Sequence, residues 1–300
     1  MAPILESLPP GSRVAILRLR SLGDCVLTTP ALDILKRARP DLRVAVVVED
    51  RFAAIFAGNA DVDEILPPAP AALRGFRPRL CVNFHGGTRS AWLTALSGAG
   101  WRAGFGHFRQ RFVYNIRIPR AQEILGVDRK VHTAEHLASA MFYLGAPRME
   151  IPRAKLRAGP LPYGRGSDQA YAVIHAVAAT PAKTWRADGF LAVAAWLEQS
   201  GIEPVFIGAA SDDLTPFAAY RIVQAAPLEE IKSLLGTAAL FVGNDSGPAH
   251  MAAAFGIPVI AIFRDSDPIV WAPWRTPCAV LISPEPAQAI EAVSRLRVPA

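Results

Sequence analysis

Cysteine is scarce in this chain and never paired in sequence. Cys25, Cys81 and Cys278 are the 3 present, and no two of them form a CxxC pair. That argues against a disulfide framework or a cysteine zinc site and suits a reducing compartment. Charge is also thin, with 19% of residues charged against 51% hydrophobic, so substantial cores can form. No apolar run reaches the ~18 residues of a membrane span. The first residues lack a basic start followed by an apolar core and a cleavage site, so no secretory signal is expected. No GxGxxG follows the first expected strand, which weighs against a dehydrogenase. The length of 300 residues fits one large or two ordinary domains.

What the chain does have is an uneven charge distribution. Residues 1–150 hold 20 basic and 13 acidic residues, a net +7; residues 151–300 hold 12 and 13, a net −1. The N-terminal half should face the more acidic partner. Within it, Trp101 to Arg120 carries Arg102, Arg109, Arg111, Arg117 and Arg120 with no acid. This is either a solvated loop face or an arm for phosphates, acidic sugars or an anionic membrane surface. Nucleic acid is not expected, because no binding module is present.

Strand and helix signals alternate along the chain. Strands are expected at Arg13 to Leu19, Arg43 to Val48, Glu64 to Leu66 and Leu80 to Phe84, with a fifth at Arg102 to Phe105. Helices are expected at about Cys25 to Arg39, Arg51 to Ala57, Ala91 to Leu96 and Lys130 to Leu144, with a Pro/Ala loop at Pro67 to Ala72. Pro30 is expected to bend the first of these helices. The pattern lapses over Gly159 to Asp168, read as a linker between domains 1–158 and 169–300. Strands resume at Tyr171 to His175, Pro204 to Ile207 and Cys278 to Ile282. Helices are expected at Gly189 to Gln199, from about Asp212, at Pro227 to Leu235 and at Gln288 to Leu296. The final helix could pack back on the first domain. The fold class is α/β: two Rossmann-like domains facing across a cleft.

The stretch with the clearest chemistry is Phe241 to Ala261, which reads as strand, tight turn, helix, turn, strand. Ser246 can cap the helix that follows. A helix opening at the carboxyl end of a parallel strand aims free N–H groups at a crevice that suits anions. Asp24 follows Gly23 at the end of the first strand. It is either a first-turn carboxylate or a base, since an ionised aspartate can take a proton from an attacking hydroxyl. Cys25 beside it has no His/Asn partner and reads as packing. Lys183 lies between a strand and a helix, where it is either a surface residue or a counter-charge for a diphosphate. His175 ends a strand and reads as structural. Two DxD triplets, Asp61-Val62-Asp63 and Asp265-Ser266-Asp267, are too short to predict a metal.

Five segments in order resemble the bacterial ADP-heptose:lipopolysaccharide heptosyltransferase family. They are Arg18 to Leu32 around Ser21-Leu22-Gly23-Asp24, Asn83 to Ser90, Lys183-Thr184-Trp185, Gly243-Asn244-Asp245-Ser246-Gly247-Pro248-Ala249-His250, and Asp267-Pro268 with Trp271 and Pro273-Trp274. The resemblance spans residues 13 to about 275. It implies the glycosyltransferase B fold, with the acceptor on the N-terminal domain and the nucleotide sugar on the C-terminal one. It implies inverting transfer of heptose from ADP-heptose to a lipopolysaccharide inner-core acceptor, with no metal and no cofactor beyond the ADP-sugar substrate. By position, Asp24 would be the general base. Lys183, Thr180, Asp212, Asp245, Ser246, Gly247 and His250 would serve the donor, with Asp213 the alternative to Asp212. Arg20, Ser21, His85, Arg89, Arg109 and Arg111 would serve the acceptor. The expected partners are a nucleotide sugar and an anionic glycolipid. The expected location is the cytoplasm, extending to peripheral contact with the inner membrane surface.

Two departures stand out. Family members commonly continue the central strand as His-Pro-Gly, where this chain has His175-Ala176-Val177. They commonly have Phe-Gly before Asp-Pro, where this chain has Phe263-Arg264. The alternatives are therefore a related transferase with another donor or acceptor, and a non-catalytic nucleotide- or glycan-binding homologue.

Overall fold

The computed structural model describes residues 3–159 and 170–296. The chain divides into two compact units, Met1–Lys155 and Leu156–Ala300. The expected linker lies outside the described residues except for Gly159.

The first unit is built on six parallel strands: β1 (Arg13–Leu17), β2 (Arg43–Val47), β3 (Glu64–Leu66), β4 (Leu80–Asn83), β5 (Trp101–Phe105) and β6 (Ile116–Ile118). Their spatial order is β3-β2-β1-β4-β5-β6. The second unit has β7 (Tyr171–His175), β8 (Glu203–Gly208), β9 (Arg221–Gln224), β10 (Leu240–Asn244), β11 (Val259–Phe263) and β12 (Cys278–Ile282). These are also parallel, in the order β12-β11-β10-β7-β8-β9. Counted within its own unit, each sheet thus runs 3-2-1-4-5-6, the doubly wound arrangement. The topology repeats although the sequence shows no short repeat.

Each sheet has a crevice where its strand order reverses, outside the carboxyl ends of β1 and β4 in one unit and of β7 and β10 in the other. Ligands bind at such points in open α/β sheets. The central strands are buried on both faces, as their near-continuous apolar runs require: Val14 to Leu17 and Val259 to Phe263 have at most 1% exposure. The second core gathers Phe190, Phe206, Phe217 and Trp185, with Phe206 stacked on Phe217 at 4.3 Å. Each such ring contributes roughly 1.5–3 kcal/mol on burial.

The helix after β1, Leu22–Ala38, runs through Pro30. Proline cannot donate to the carbonyl four residues back, which is that of Val26. The Thr29 hydroxyl donates to that carbonyl instead, at 2.8 Å. Thr29 Oγ1 also accepts the Lys155 N–H at 2.9 Å, fixing the end of the first unit on that helix.

Several expectations need correcting. Part of the expected Pro67–Ala72 loop belongs to a helix, Pro70–Phe76, which uses Pro70 in its first turn. No helix starts at Asp212. A 3₁₀ turn, Thr215–Phe217, leads into β9 instead. Strands β6 and β9 were not expected at all. The closing helix, Pro286–Arg295, buries Ala289, Ala292 and Val293 in the core of the second unit.

Candidate active site

In the first unit the crevice is built from the ends of β1 and β4. The turn after β1 delivers Arg18, Arg20, Ser21 and Asp24. Asp24 sits in the first turn of the Leu22–Ala38 helix, where the helix dipole favours a carboxylate. Its Oδ2 accepts from the Ser21 hydroxyl at 3.0 Å, and its Oδ1 lies 3.5 Å from Arg18 Nη1. The Arg18 side chain is only 7% exposed, and among the described residues its Nε has no hydrogen-bond partner. Burial works against the Arg18 charge, and the Asp24 carboxylate opposes that effect. Arg20 and Ser21 are exposed.

The end of β4 is organised by Asn83, which is fully buried. Its Oδ1 accepts the N–H groups of His85 (2.9 Å) and Gly86 (3.1 Å). Its Nδ2 donates to Ser90 Oγ and to the Tyr114 hydroxyl, at 3.1 and 2.9 Å. One amide therefore shapes the His85-Gly86-Gly87 loop and ties it to the Thr88–Ala95 helix. Gly86 has φ +76°, and a Cβ there would meet the Phe108 ring at 2.5 Å, so the loop needs glycine. His85 is half-buried, and burial together with the Arg18 charge lowers its pKa, leaving a neutral imidazole at pH 7. Asp24 and Arg20 also act on it, so His85, Arg18, Arg20 and Asp24 share this crevice.

The other first-unit candidates lie elsewhere. Arg89 is exposed and pairs with Glu49 at 3.2 Å. Arg109 and Arg111 are exposed, and among the described residues their guanidinium groups have no protein partner. Arg102 is structural, donating to the Val113 and Ala99 carbonyls. Cys25 is fully buried, and burial pushes its thiol up to about 12, which removes it as a nucleophile.

The second unit gathers its candidates more tightly. Asn244, the last residue of β10, is buried. Its Oδ1 accepts the Trp185 N–H at 2.8 Å, and its Nδ2 donates to the Ala176 carbonyl at 2.9 Å. The Trp185 indole donates to the Pro284 carbonyl at 2.9 Å. These bonds pin the loop after β7 over the end of β10. Lys183 Nζ then reaches Asp245 Oδ2 at 3.2 Å. His250 Nε2 lies 3.9 Å from Asp245 Oδ1. Asp245 is 8% exposed and Lys183 33%, so the carboxylate is sheltered and the ammonium open to solvent.

Ser246 occupies the cap position of the Gly247–Phe255 helix, but its side chain does not cap. Its hydroxyl is bonded to His175 Nδ1 at 3.0 Å. Burial lowers His175 to about 4, so the ring is neutral, and Asp212 acts on it electrostatically. Asp212 Oδ2 accepts the Ala209 N–H at 2.7 Å, holding the turn after β8 beside β7. Asp213 closes its own turn on the Thr215 N–H at 3.0 Å, and the Thr215 hydroxyl together with that N–H holds its pKa down. Thr180 is exposed and opens the 3₁₀ turn that carries Lys183.

Three of the four DxD carboxylates are committed to structure. Asp61 pairs with Lys155 at 3.4 Å. Asp63 takes Lys36 Nζ at 2.8 Å and the Val44 N–H at 2.7 Å. Asp267 caps the Pro268–Trp271 turn through the Ile269 N–H at 2.9 Å. Among the described residues no group of three or more His, Cys, Asp or Glu could hold a metal.

Sequence reasoning singled out neither Arg18 nor the two buried asparagines as site-builders. Asn83 and Asn244 each close an apolar strand just before a glycine-bearing loop, and that signal was available. Asn244→Ala should lower unfolding free energy by about 2–6 kcal/mol, because two buried groups lose their partners at about 1–3 kcal/mol each. Urea denaturation followed by tryptophan fluorescence checks this.

Two doubly wound sheets, each with polar side chains gathered at its switch point, are the building blocks of the glycosyltransferase B fold. Residues 72–296 match the family model for glycosyltransferase family 9 (heptosyltransferase), and the chain belongs to that family. Lipopolysaccharide heptosyltransferase 3 of Escherichia coli is 28% identical, over 85% of this chain and 84% of that protein. A family 9 glycosyltransferase from Veillonella parvula superposes with a TM-score of 0.82 at 20% identity, covering 95% of this chain and 97% of the other. The E. coli ADP-heptose heptosyltransferase II gives 0.79 at 18%, covering 95% and 98%.

Proposed function

We propose that this enzyme transfers heptose, with inversion and without a metal, from ADP-heptose to an inner-core lipopolysaccharide acceptor. The observation that carries the donor half of the reading is the Lys183–Asp245–His250 cluster at the β7/β10 switch point. An ammonium beside a helix N-terminus suits a leaving diphosphate, which needs charge stabilisation rather than a protonating acid. Thr180, Ser246 and Gly247 border the same loops, and Asp212, after the neighbouring strand β8, is assigned the ribose hydroxyl.

The acceptor hydroxyl gives its proton to Asp24 and attacks the anomeric carbon from the face opposite ADP. Charge of oxocarbenium type develops on the sugar, as in glycoside cleavage. Arg18 and Ser21 hold the Asp24 carboxylate, each with one oxygen in reach. Arg20 and the neutral His85 contact the acceptor near the reacting hydroxyl, and Arg89, Arg109 and Arg111 its anionic groups. A product assay with ADP-heptose, other nucleotide sugars and truncated lipopolysaccharide cores tests the reading. Transfer from a different donor only, or to no core acceptor, overturns it.

The acceptor is an anionic glycolipid, and the proposal extends to peripheral contact with the membrane that holds it. No described helix is long and apolar enough to cross a membrane. Trp92, Leu96 and Phe112 are 53, 42 and 67% exposed, and Phe112 lies among the uncompensated arginines. The two segments are joined, since Val113 packs on Ala91 and Gln110 donates to Thr88 Oγ1. Exposed aromatic and aliphatic side chains with arginine suit an anionic interface. Trp92→Ser with Phe112→Ser should weaken sedimentation with anionic vesicles about tenfold. Turnover on a detergent-solubilised acceptor should stay unchanged.

A further inference from the structure

The departure at Phe263-Arg264 is the feature the proposed mechanism leaves unused. Arg264 follows β11, the strand hydrogen-bonded beside β10. Its Nη1 donates to the Thr184 carbonyl at 2.7 Å. Thr184 lies between Lys183, whose ammonium meets Asp245, and Trp185, whose N–H is held by Asn244. The guanidinium is therefore fastened to the loop that carries the proposed diphosphate ligand.

Charge counting shows what it adds there. Lys183 shares its charge with Asp245 at 3.2 Å, so the ammonium alone does not balance a diphosphate. Arg264 has no carboxylate within 4 Å among the described residues, although Asp265 is its chain neighbour. A guanidinium has five N–H donors in a planar fork suited to phosphate oxygens. One donor is spent on Thr184. The rest have no protein partner among the described residues, and the side chain is exposed to an approaching ligand.

We infer that Arg264 is a second cation of the donor site, latched to Thr184 and contacting the diphosphate of the nucleotide sugar. The glycine common in the family can offer only a close backbone approach at this position. This chain would replace that approach with a charged side chain, making donor affinity more salt-dependent. The inference rests on the donor-site reading of Lys183 and Asp245 but not on the identity of the sugar or base.

The test is titration calorimetry of wild type, Arg264→Gln and Arg264→Lys with AMP, ADP and UDP, at low and high salt. Wild type should bind the preferred nucleoside diphosphate, and Arg264→Gln should weaken it about 5- to 20-fold while changing AMP affinity less than about twofold. Arg264→Lys should recover part of the loss, and the salt dependence should be shallower in the glutamine variant. Equal weakening of AMP and ADP would reduce Arg264 to a loop latch and overturn the inference, as would unchanged ADP affinity. A wild type that prefers UDP would sink the ADP reading while leaving the Arg264 comparison intact on UDP. Thermal melts of both variants establish that each is folded at the assay temperature.

Discussion

Asp24→Asn is expected to lower the transfer rate about 10²–10⁴-fold, the range a positioned general base contributes. Donor affinity should stay within about twofold, because the side chain belongs to the first unit and the donor-site loops to the second. Asparagine keeps the size of aspartate and can still meet the Ser21 hydroxyl. What it cannot do is take the acceptor's proton or answer the buried Arg18 charge. The second loss should reduce stability by about 1–3 kcal/mol, since Arg18 is left with less compensation at 7% exposure. A melting curve separates that cost from the kinetic one, and single-turnover assays at saturating donor isolate the chemical step. A competing base in the crevice is His85, whose lowered pKa keeps it neutral and able to accept a proton at pH 7. If Asp24→Asn retains full activity while His85→Ala loses it, the base is His85.

The strands that build both crevices were legible because they are buried on two faces and so read as unbroken apolar runs. The two missed strands are edge strands, for which that signal fails. Ile116-Arg117-Ile118 is only a short alternation, and Arg221 to Gln224 is largely open to solvent. The helix expected from Asp212 is absent because Asp212 and Asp213 turn their carboxylates onto nearby N–H groups, which closes turns instead. Pro67 to Ala72 read as a loop from its prolines, yet a proline in a first turn is also a helix start.

Site residues divide along the same line. Asp24, Lys183 and Asp245 were identifiable because they stand in the connections that follow strands, inside distinctive segments. What those side chains touch was not, because the contacts are long-range. Ser246 had a sound local reading as a helix cap, but a partner 71 residues away takes its hydroxyl. Lys183 and Asp245 are 62 apart, and Arg264 and Thr184 are 80 apart. A doubly wound sheet brings such segments to one end through its crossovers, and local periodicity carries no record of which ends meet.

Lys183→Met should reduce kcat/KM about 10²–10³-fold, comparable to losing one electrostatic stabiliser of a developing negative charge. Two effects combine in that number. The leaving diphosphate loses its ammonium, and the Asp245 carboxylate loses the cation that answers it at 3.2 Å. A carboxylate at 8% exposure that has lost its ammonium then repels the incoming diphosphate. Two like charges about 4 Å apart cost about 4 kcal/mol at an effective dielectric near 20. Removing Asp245 as well should therefore relieve part of the damage. In Lys183→Met with Asp245→Asn, ADP affinity should recover several-fold relative to Lys183→Met alone, while turnover stays low because nothing replaces the ammonium in the transition state. Calorimetry with ADP and steady-state kinetics on the two single variants and the double variant form a complete cycle. Additive losses in ADP affinity, with no recovery in the double variant, would mean that Lys183 and Asp245 do not share the diphosphate. The pair would then be a structural clamp on the loop after β7.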